Sequence, residues 1–296
     1  MIFPEKLSQG DTVALLAPSG VCNQSRILPA MATLEKWGLK VLLMPSCKEQ
    51  SHPYLAGSDS MRAQDLMNAF TAPYIRGIFA FRGGYGAQRI LPLLDYEAIS
   101  KNPKIFAGYS DITALHIAIN QRCGFVTYHS PMPGTELYKE DIDLYTVDSL
   151  KKQIFEDYES QSQDFQEILE KPDSIKVLVK GNAEGTLIGG NLSLLVSSLG
   201  TPYEIDTRGK ILFIEEITEE PYRIDRMLLQ LKLSGKLTDC NGIMLGSFFP
   251  ETYETLSQII EDLLVPLEKP LWANLACGHC IPTMTLPLGA KVCMKQ

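Results

Sequence analysis

Short apolar runs alternate with amphipathic stretches along the first half of the chain. The runs DTVALLAPSG, KVLLMP, IRGIFAF and KIFAGYS are apolar almost throughout, so each predicts a strand buried on both faces, the first over residues 12–17. Between them, RILPAMATLEKWG and DSMRAQDLMNAFTA have helical spacing, with Gly38 closing the first helix and Asp59 or Ser60 capping the second. This alternation predicts an α/β fold with a parallel sheet covered on both faces by helices.

The second half of the chain resumes the alternation after an acidic interruption. Strand patterns occur in KILFIEEI, CNGIMLGSF and PLWANLACGHC, and helix patterns in EEPYRIDRMLLQLKLSG and TYETLSQIIEDLLVPL. A further helix is expected near Asn191, directly after Gly189 and Gly190. Residues 155–173 carry seven acidic residues against one basic residue, which is typical of a solvated connection. We therefore predict a first domain over residues 1–150, an acidic linker over 151–180 and a second domain over 181–296.

Composition narrows the class of protein. The net charge of -8 and the isoelectric point near 5.1 argue against nucleic-acid binding, which needs clustered Lys and Arg. No apolar run reaches the ~18 residues of a membrane span, and MIFPEKLSQGD lacks the apolar region of a secretory signal, so we expect a cytoplasmic protein. The seven cysteines are odd in number and scattered, which disfavours a disulfide framework. Cys277 and Cys280 form a C-x-x-C without the second ligand pair that zinc needs, so no metal is expected.

One strand-to-helix junction carries a serine. The sequence KIFAGYSDITALHIAINQ places Ser110 between a buried strand and a helix that starts at Asp111. Such a junction projects a side chain from the carboxyl end of the sheet, where open α/β folds bind ligands, so Ser110 is a candidate nucleophile. The alternative is that Ser110 caps the helix, because serine favours that position. The stretch alone leaves both interpretations open.

A nucleophilic serine needs a base and an acid that orients the base. The four histidines are His52, His116, His129 and His279. His279 is the leading candidate because it follows a strand in a glycine-containing loop, whereas His116 faces away from the helix start and His129 ends a strand. Glu215 and Glu216 end a strong apolar strand, and alternation along a strand lets only one of them face a site. Both acids could instead be surface groups.

The stretch FRGGYGAQRI provides a glycine-rich loop after a strand. Gly83 and Gly84 allow backbone N–H groups to approach a ligand closely. The loop lacks the ending of a phosphate-binding loop, but it suits one wall of an oxyanion hole with the N–H of Asp111 as the other. Arg82 is a candidate for binding a substrate carboxylate, because its guanidinium matches one in bidentate geometry, although it could also be a surface residue on a turn.

Together these motifs resemble the LD-carboxypeptidase family of serine peptidases, which includes the microcin C immunity peptidases. The resemblance rests on segments in order along nearly the whole chain: GDTVALLAPSG, YLAGSDSMRAQDLMNAF, FRGGYGAQRIL, FAGYSDITAL, YHSPM, LIGGNLSLLVSSLGTPYEID, ILFIEEI, PYRIDRMLLQL and GHCIPTMTLPLG. It implies a three-layer α/β domain and a smaller β-rich domain with the active site in the cleft between them. It also assigns functional residues: Ser110 as nucleophile, Glu215 as acid, His279 as base, Gly84 and Asp111 as oxyanion donors.

The resemblance implies hydrolysis of the amide that links an L-centred residue to the terminal D-alanine of murein tetrapeptides, without metal or cofactor, by a homodimer. Arg82 and Gly83 are the expected substrate contacts. Thr283 departs from the asparagine expected near that position, which affects local substrate contacts rather than the triad.

Three alternatives remain. The first is cleavage of a peptide-nucleotide antibiotic, which needs an aromatic shelf that Trp37 and Trp272 are badly placed to supply. The others are a non-catalytic binding module and a general esterase.

Overall fold

The computed structural model describes residues 1–156, 163–164 and 175–295. The chain divides into two compact units, one of Met1–Asp157 with Met284–Pro287 and one of Tyr158–Thr283 with Leu288–Gln296. Each unit contains a sheet whose central strands are parallel, together with helices. The predicted two-domain α/β fold is therefore confirmed.

The strands of the first unit are short and almost wholly apolar. They are β1 (Thr12–Leu16), β2 (Lys40–Leu43), β3 (Ile75–Ala80), β4 (Ile105–Gly108), β5 (Thr127–His129) and β12 (Leu286–Leu288). Their order in the sheet is β12-β5-β4-β3-β1-β2, and the pairs from β5 to β2 are parallel. The carboxyl ends of β3 and β4, which are neighbours, therefore lie at the same edge, and both lead into candidate site residues.

Helices follow the strands of the first unit. They are α1 (Ile27–Lys36), α2 (Asp59–Thr71), α3 (Ala87–Ile90), α4 (Tyr96–Ser100), α5 (Thr113–Cys123) and α6 (Leu144–Phe155). The cap predicted for α2 is wrong by one or two positions. Ser58 is the capping residue, because its backbone is extended and its hydroxyl accepts the N–H of Met61 at 3.1 Å, whereas Asp59 and Ser60 are already helical.

The second unit is built on a mixed sheet. Its strands are β6 (Gln163–Asp164), β7 (Lys176–Val179), β8 (Ala183–Asn191), β9 (Ile211–Ile217), β10 (Gly242–Phe249), β11 (Leu271–Ala273) and β13 (Lys291–Met294). The order is β6-β13-β8-β9-β10-β11-β7, with β8 to β11 parallel and the pairs β11–β7 and β13–β8 antiparallel. Its helices are α7 (Leu192–Ser197), α8 (Pro221–Leu233), α9 (Lys236–Asp239) and α10 (Tyr253–Leu263).

The predicted acidic linker lies largely outside the described residues, which omit 157–162 and 165–174. At its two ends the described residues have regular structure, since α6 continues to Phe155 and β7 begins at Lys176. None of the helices in the described ranges combines the length and apolar character that crossing a membrane requires.

Candidate active site

Ser110 lies at a sharp turn between β4 and α5. Its φ is +65°, in the left-handed region that a residue with a Cβ rarely adopts, at a cost of about 1–3 kcal/mol. A single 3-10 turn, Ser110–Ile112, then leads into α5, and neither helical segment has a side-chain cap. The interpretation of Ser110 as a helix cap is therefore wrong. The strained backbone is instead typical of a serine held on a nucleophile elbow.

A buried hydrogen-bond network holds the turn from behind. The carbonyl of Gly108 accepts the N–H of Ser130 at 3.1 Å and the Nε2–H of His116 at 2.8 Å. Because the Gly108 carbonyl can only accept a hydrogen bond, the proton of the neutral ring lies on Nε2. Nδ1 of His116 therefore accepts a hydrogen bond from the hydroxyl of Thr127 at 2.8 Å. Burial lowers the pKa of His116 to about 4, which keeps the ring neutral. His116 thus supports the turn rather than acting as a base.

The glycine-rich loop approaches Ser110 at Gly83. A Cβ placed on Gly83 would lie 2.9 Å from the Cβ of Ser110, 3.1 Å from its Oγ and 3.2 Å from the backbone N of Asp111. Real Cβ atoms do not come this close to other heavy atoms without a shift, so the contact requires glycine. Gly84 has a φ of +116°, which glycine also adopts at no steric cost. The structure therefore brings Gly83, Ser110 and the N–H of Asp111 to one place.

Two buried charged residues, which sequence reasoning missed in this role, fix the glycine-rich loop. The carboxylate of Asp111 accepts the N–H of Ala87 at 2.8 Å, and burial raises the pKa of that carboxyl. Arg62, fully buried, donates from Nη1 to the carbonyls of Pro18 at 2.6 Å and Gly86 at 2.8 Å. For Arg62, the sequence offered one sign of this role, namely that the arginine lies on the apolar face of the amphipathic helix α2.

Arg82, the expected carboxylate ligand, is half-buried beside the same loop. Its Nε donates to the carbonyl of Gly83 at 3.2 Å, and its Nη1 donates to the carbonyl of Val21 at 3.3 Å. These bonds tie the loop to the segment after β1. Binding of a substrate carboxylate by Arg82 stays a prediction.

In the second unit, Glu215 and His279 form a close pair. Oε2 of Glu215 lies 2.6 Å from Nδ1 of His279, and the glutamate side chain is completely buried. With Nδ1–H donating to the carboxylate, the neutral ring carries its lone pair on Nε2, which is the atom that accepts protons in a base. The structure thus brings together the predicted acid and the predicted base.

The loop that carries His279 is built to fit this pair. Gly278 has a φ of +102°, and a Cβ there would lie 2.7 Å from Oε2 of Glu215. The hydroxyl of Thr283 donates to the carbonyl of Gly278 at 3.1 Å, and the hydroxyl of Ser247 donates to the carbonyl of His279 at 3.3 Å. Thr283, the departure from the family pattern, therefore supports the histidine loop.

Glu216 faces the other side of the strand, as the alternation predicted. Its carboxylate accepts the side-chain amide of Asn191 at 2.7 Å, and the N–H and hydroxyl of Ser193 at 2.7 and 2.6 Å. Burial raises the pKa of Glu216. These contacts anchor the start of α7, so the role of Glu216 is structural. Of the two glutamates, it is Glu215 that pairs with His279.

The remaining candidates lie elsewhere. His129 is 1% exposed and packs edge-on against the ring of Tyr109 at 5.6 Å, within the first unit. Cys277 is buried, which raises the pKa of its thiol well above the usual value. Within the described ranges no three His, Cys, Asp or Glu side chains are grouped so that they could hold a metal ion.

Known proteins resemble this chain over both units. A family model described as the LD-carboxypeptidase N-terminal domain matches residues 13–130, and one described as the LD-carboxypeptidase C-terminal domain matches residues 184–294. A probable murein peptide carboxypeptidase of Bacillus subtilis is 44% identical over 98% of this chain and 91% of its own length. The microcin C7 self-immunity protein MccF of Escherichia coli is 29% identical over 97% of this chain and 91% of its own. The crystal structure of a muramoyltetrapeptide carboxypeptidase from Oxalobacter formigenes superimposes with a TM-score of 0.81 at 29% identity, covering 96% of this chain and 95% of that one.

Proposed function

Because the chain belongs to the LD-carboxypeptidase family, we propose that it is a serine carboxypeptidase that releases the terminal D-alanine of murein tetrapeptides. The observation that carries the proposal is the 2.6 Å hydrogen bond between Glu215 and His279, which orients an imidazole as a general base. The strained backbone of Ser110 supports its assignment as the nucleophile. The 44% identity to a probable murein peptide carboxypeptidase of Bacillus subtilis supports the proposed substrate.

The proposed reaction begins when Nε2 of His279 takes the proton of Ser110 and the serine Oγ attacks the scissile carbonyl. Glu215 stabilises the imidazolium that forms. His279 then gives the proton to the leaving amine of D-alanine, and water activated by the same imidazole hydrolyses the ester on Ser110. Ser110 belongs to the first unit and the other two residues to the second, so the proposal requires both units to act on one substrate.

The oxyanion of the tetrahedral intermediate is assigned to the N–H groups of Gly84 and Asp111. The close approach of Gly83 to both Ser110 and the N of Asp111 supports this assignment, since it brings the loop next to the reacting oxygen. Each such donor contributes roughly 3 kcal/mol to stabilisation of the transition state. Arg82 and Gly83 are proposed to contact the substrate, with Arg82 binding its terminal carboxylate.

Two broader features belong to the same proposal. Recycling of cell-wall peptides would place the enzyme in the cytoplasm. A homodimer, which the family resemblance implied, stays a prediction that sedimentation of the purified protein can test.

Cleavage of a peptide-nucleotide antibiotic is a second candidate, favoured by one observation. Trp272 is 3% exposed and Trp37 is half-buried, but the exposed rings of Tyr54 and Tyr85 lie 6.0 Å apart. Because Tyr85 follows Gly84 in the glycine-rich loop, this pair offers aromatic faces to a base. The 29% identity to the microcin C7 self-immunity protein also supports this second candidate.

The test is release of D-alanine from L-Ala-D-Glu-mDAP-D-Ala, followed by mass spectrometry. We expect release by the wild type and by Ser234→Ala, an exposed control serine, and none above background by Ser110→Ala. Release by Ser110→Ala at the wild-type rate would show that the mechanism is wrong. If the wild type releases no D-alanine but cleaves an aminoacyl-nucleotide amide, the second candidate replaces the first.

A further inference from the structure

A buried carboxylate binds the residue that precedes Ser110. Glu136 is 9% exposed and lies in a π-helical turn, Pro133–Leu137, that follows β5. Its Oε1 accepts a hydrogen bond from the hydroxyl of Tyr109 at 2.8 Å, and Tyr109 immediately precedes Ser110 in the chain. Turns of π-helix are rare and occur frequently at functional sites. The contact therefore makes Glu136 a candidate for a role in the site.

Other donors fix the carboxylate on its second oxygen. Oε2 of Glu136 accepts the backbone N–H of Met132 at 2.8 Å and the hydroxyl of Thr135. Together with the Tyr109 hydroxyl, these groups give the carboxylate three hydrogen bonds, which offset the cost of removing it from water. Because the donors come from two separate segments, the carboxylate is a fixed point to which the Tyr109 ring is tied.

The same π-helical turn contacts the start of the glycine-rich loop. The N–H of Gly134 donates to the carbonyl of Phe81 at 2.7 Å, two residues before Gly83. A Cβ on Gly134 would clash with the ring of Phe81, so this close approach requires glycine. Gly83 in turn lies against Ser110. The turn therefore contacts both the chain that leads into the nucleophile and the chain that leads into the glycine-rich loop.

The strained backbone of Ser110 needs support of this kind. A left-handed φ of +65° is unfavourable for serine and persists only where the surrounding structure holds it. The carbonyl of Gly108, two residues earlier, is held by the buried hydrogen-bond network behind the turn. The side chain of Tyr109, between these two residues, is held at its hydroxyl by Glu136. Both residues that lead into Ser110 are thus fixed by buried polar contacts.

We propose that Glu136 is a positioning residue for the nucleophile: by holding Tyr109, it sets where Oγ of Ser110 lies relative to the N–H groups of the glycine-rich loop. The inference rests on the proposed serine mechanism and deepens it. It makes the attack of Ser110 on the scissile carbonyl, rather than the binding of substrate, depend on the hydrogen bond between Tyr109 and Glu136.

The test removes the hydroxyl of Tyr109 and leaves its ring. We expect Tyr109→Phe to lower kcat and kcat/KM for D-alanine release together, by about tenfold, because a small displacement of the nucleophile slows attack without weakening binding. Tyr96→Phe is the matched control, since the Tyr96 hydroxyl donates to the carbonyl of Leu91 at 2.9 Å in the same unit. It should lower the melting temperature to a similar extent and leave kcat unchanged.

Replacements of Glu136 separate geometry from charge. Glu136→Gln can keep its contacts, because the amide oxygen accepts from Met132 and Thr135 while the amide nitrogen donates to the hydroxyl of Tyr109. We therefore expect Glu136→Gln to have a kcat close to that of the wild type, and Glu136→Ala to lose at least as much as Tyr109→Phe. Adding Tyr109→Phe to Glu136→Ala should cause no further loss, because the hydrogen bond is already absent.

The rate at which a fluorophosphonate labels Ser110 reports on the nucleophile without the peptide substrate and should follow the same order. An unchanged kcat in Tyr109→Phe, a loss that appears in KM alone, or a loss in Glu136→Gln as large as in Glu136→Ala would overturn the positioning role. A wild type that releases no D-alanine, with labelling rates that still follow this order, would overturn the proposed substrate and support the positioning role.

Discussion

Protonation of His116 should destabilise the first unit in mildly acidic solution. The ring is fully buried behind the Ser110 turn, where it donates to the Gly108 carbonyl and accepts from the Thr127 hydroxyl. A second proton on the ring would remove the acceptor that Thr127 needs and would place a charge in an apolar interior. The replacement His116→Gln keeps a donor and an acceptor but cannot be protonated.

The magnitude follows from the two pKa values of His116. Burial lowers the pKa in the folded chain to about 4, from 6.5 without burial. Between these values the unfolded chain binds more protons than the folded chain, so stability is present in full above pH 6.5 and decreases as the pH falls. Integrating this difference from about pH 7.5 to about pH 5 gives a loss of about 2 kcal/mol.

Urea denaturation of the wild type and of His116→Gln at these two pH values measures this difference. Groups other than His116 titrate in both proteins, so their contribution cancels in the comparison. We expect the wild type to lose about 2 kcal/mol more of its free energy of unfolding than the variant does. Equal losses in the two proteins would refute the view that the ring is neutral and buried.

Two substitutions test other parts of the site. Gly83→Ala places a Cβ against the Ser110 turn, so we expect D-alanine release to fall by about a hundredfold and the melting temperature to fall as well. Near-normal activity would mean that the loop does not border the nucleophile. Glu216→Ala leaves the N–H of Ser193 without its acceptor, so the free energy of unfolding should drop by about 2–3 kcal/mol in urea denaturation. An unchanged stability would contradict the anchoring of α7 by this carboxylate.

Local rules were sufficient to find the candidate residues that end strands, and the family resemblance assigned their roles. Ser110, Glu215 and His279 were predicted from apolar runs that stop at a polar residue, and the 2.6 Å contact joins two of them. The alternation of side chains along β9 predicted that only one of Glu215 and Glu216 faces the site, and the resemblance to the family assigned that role to Glu215. Finding the candidates needs only the direction of a strand and the residue that follows it, because the carboxyl ends of parallel strands share one edge of the sheet.

The residues that sequence reasoning missed depend on contacts distant in the chain. Arg62 binds the carbonyls of Pro18 and Gly86, and neither partner follows from its position in α2. His116 was expected to face away from the helix start, yet it contacts Gly108 because α5 packs against the end of β4. Such buried polar contacts are set by tertiary packing, which periodicity does not encode.

The central claim is that Ser110 is a nucleophile activated by His279. The most direct measurement is the rate at which a fluorophosphonate labels the protein, followed by intact-mass spectrometry and peptide mapping. The account predicts one adduct on Ser110, formed at least about a hundredfold more slowly in His279→Ala. An adduct on another residue, or equal labelling rates in the wild type and His279→Ala, would contradict it.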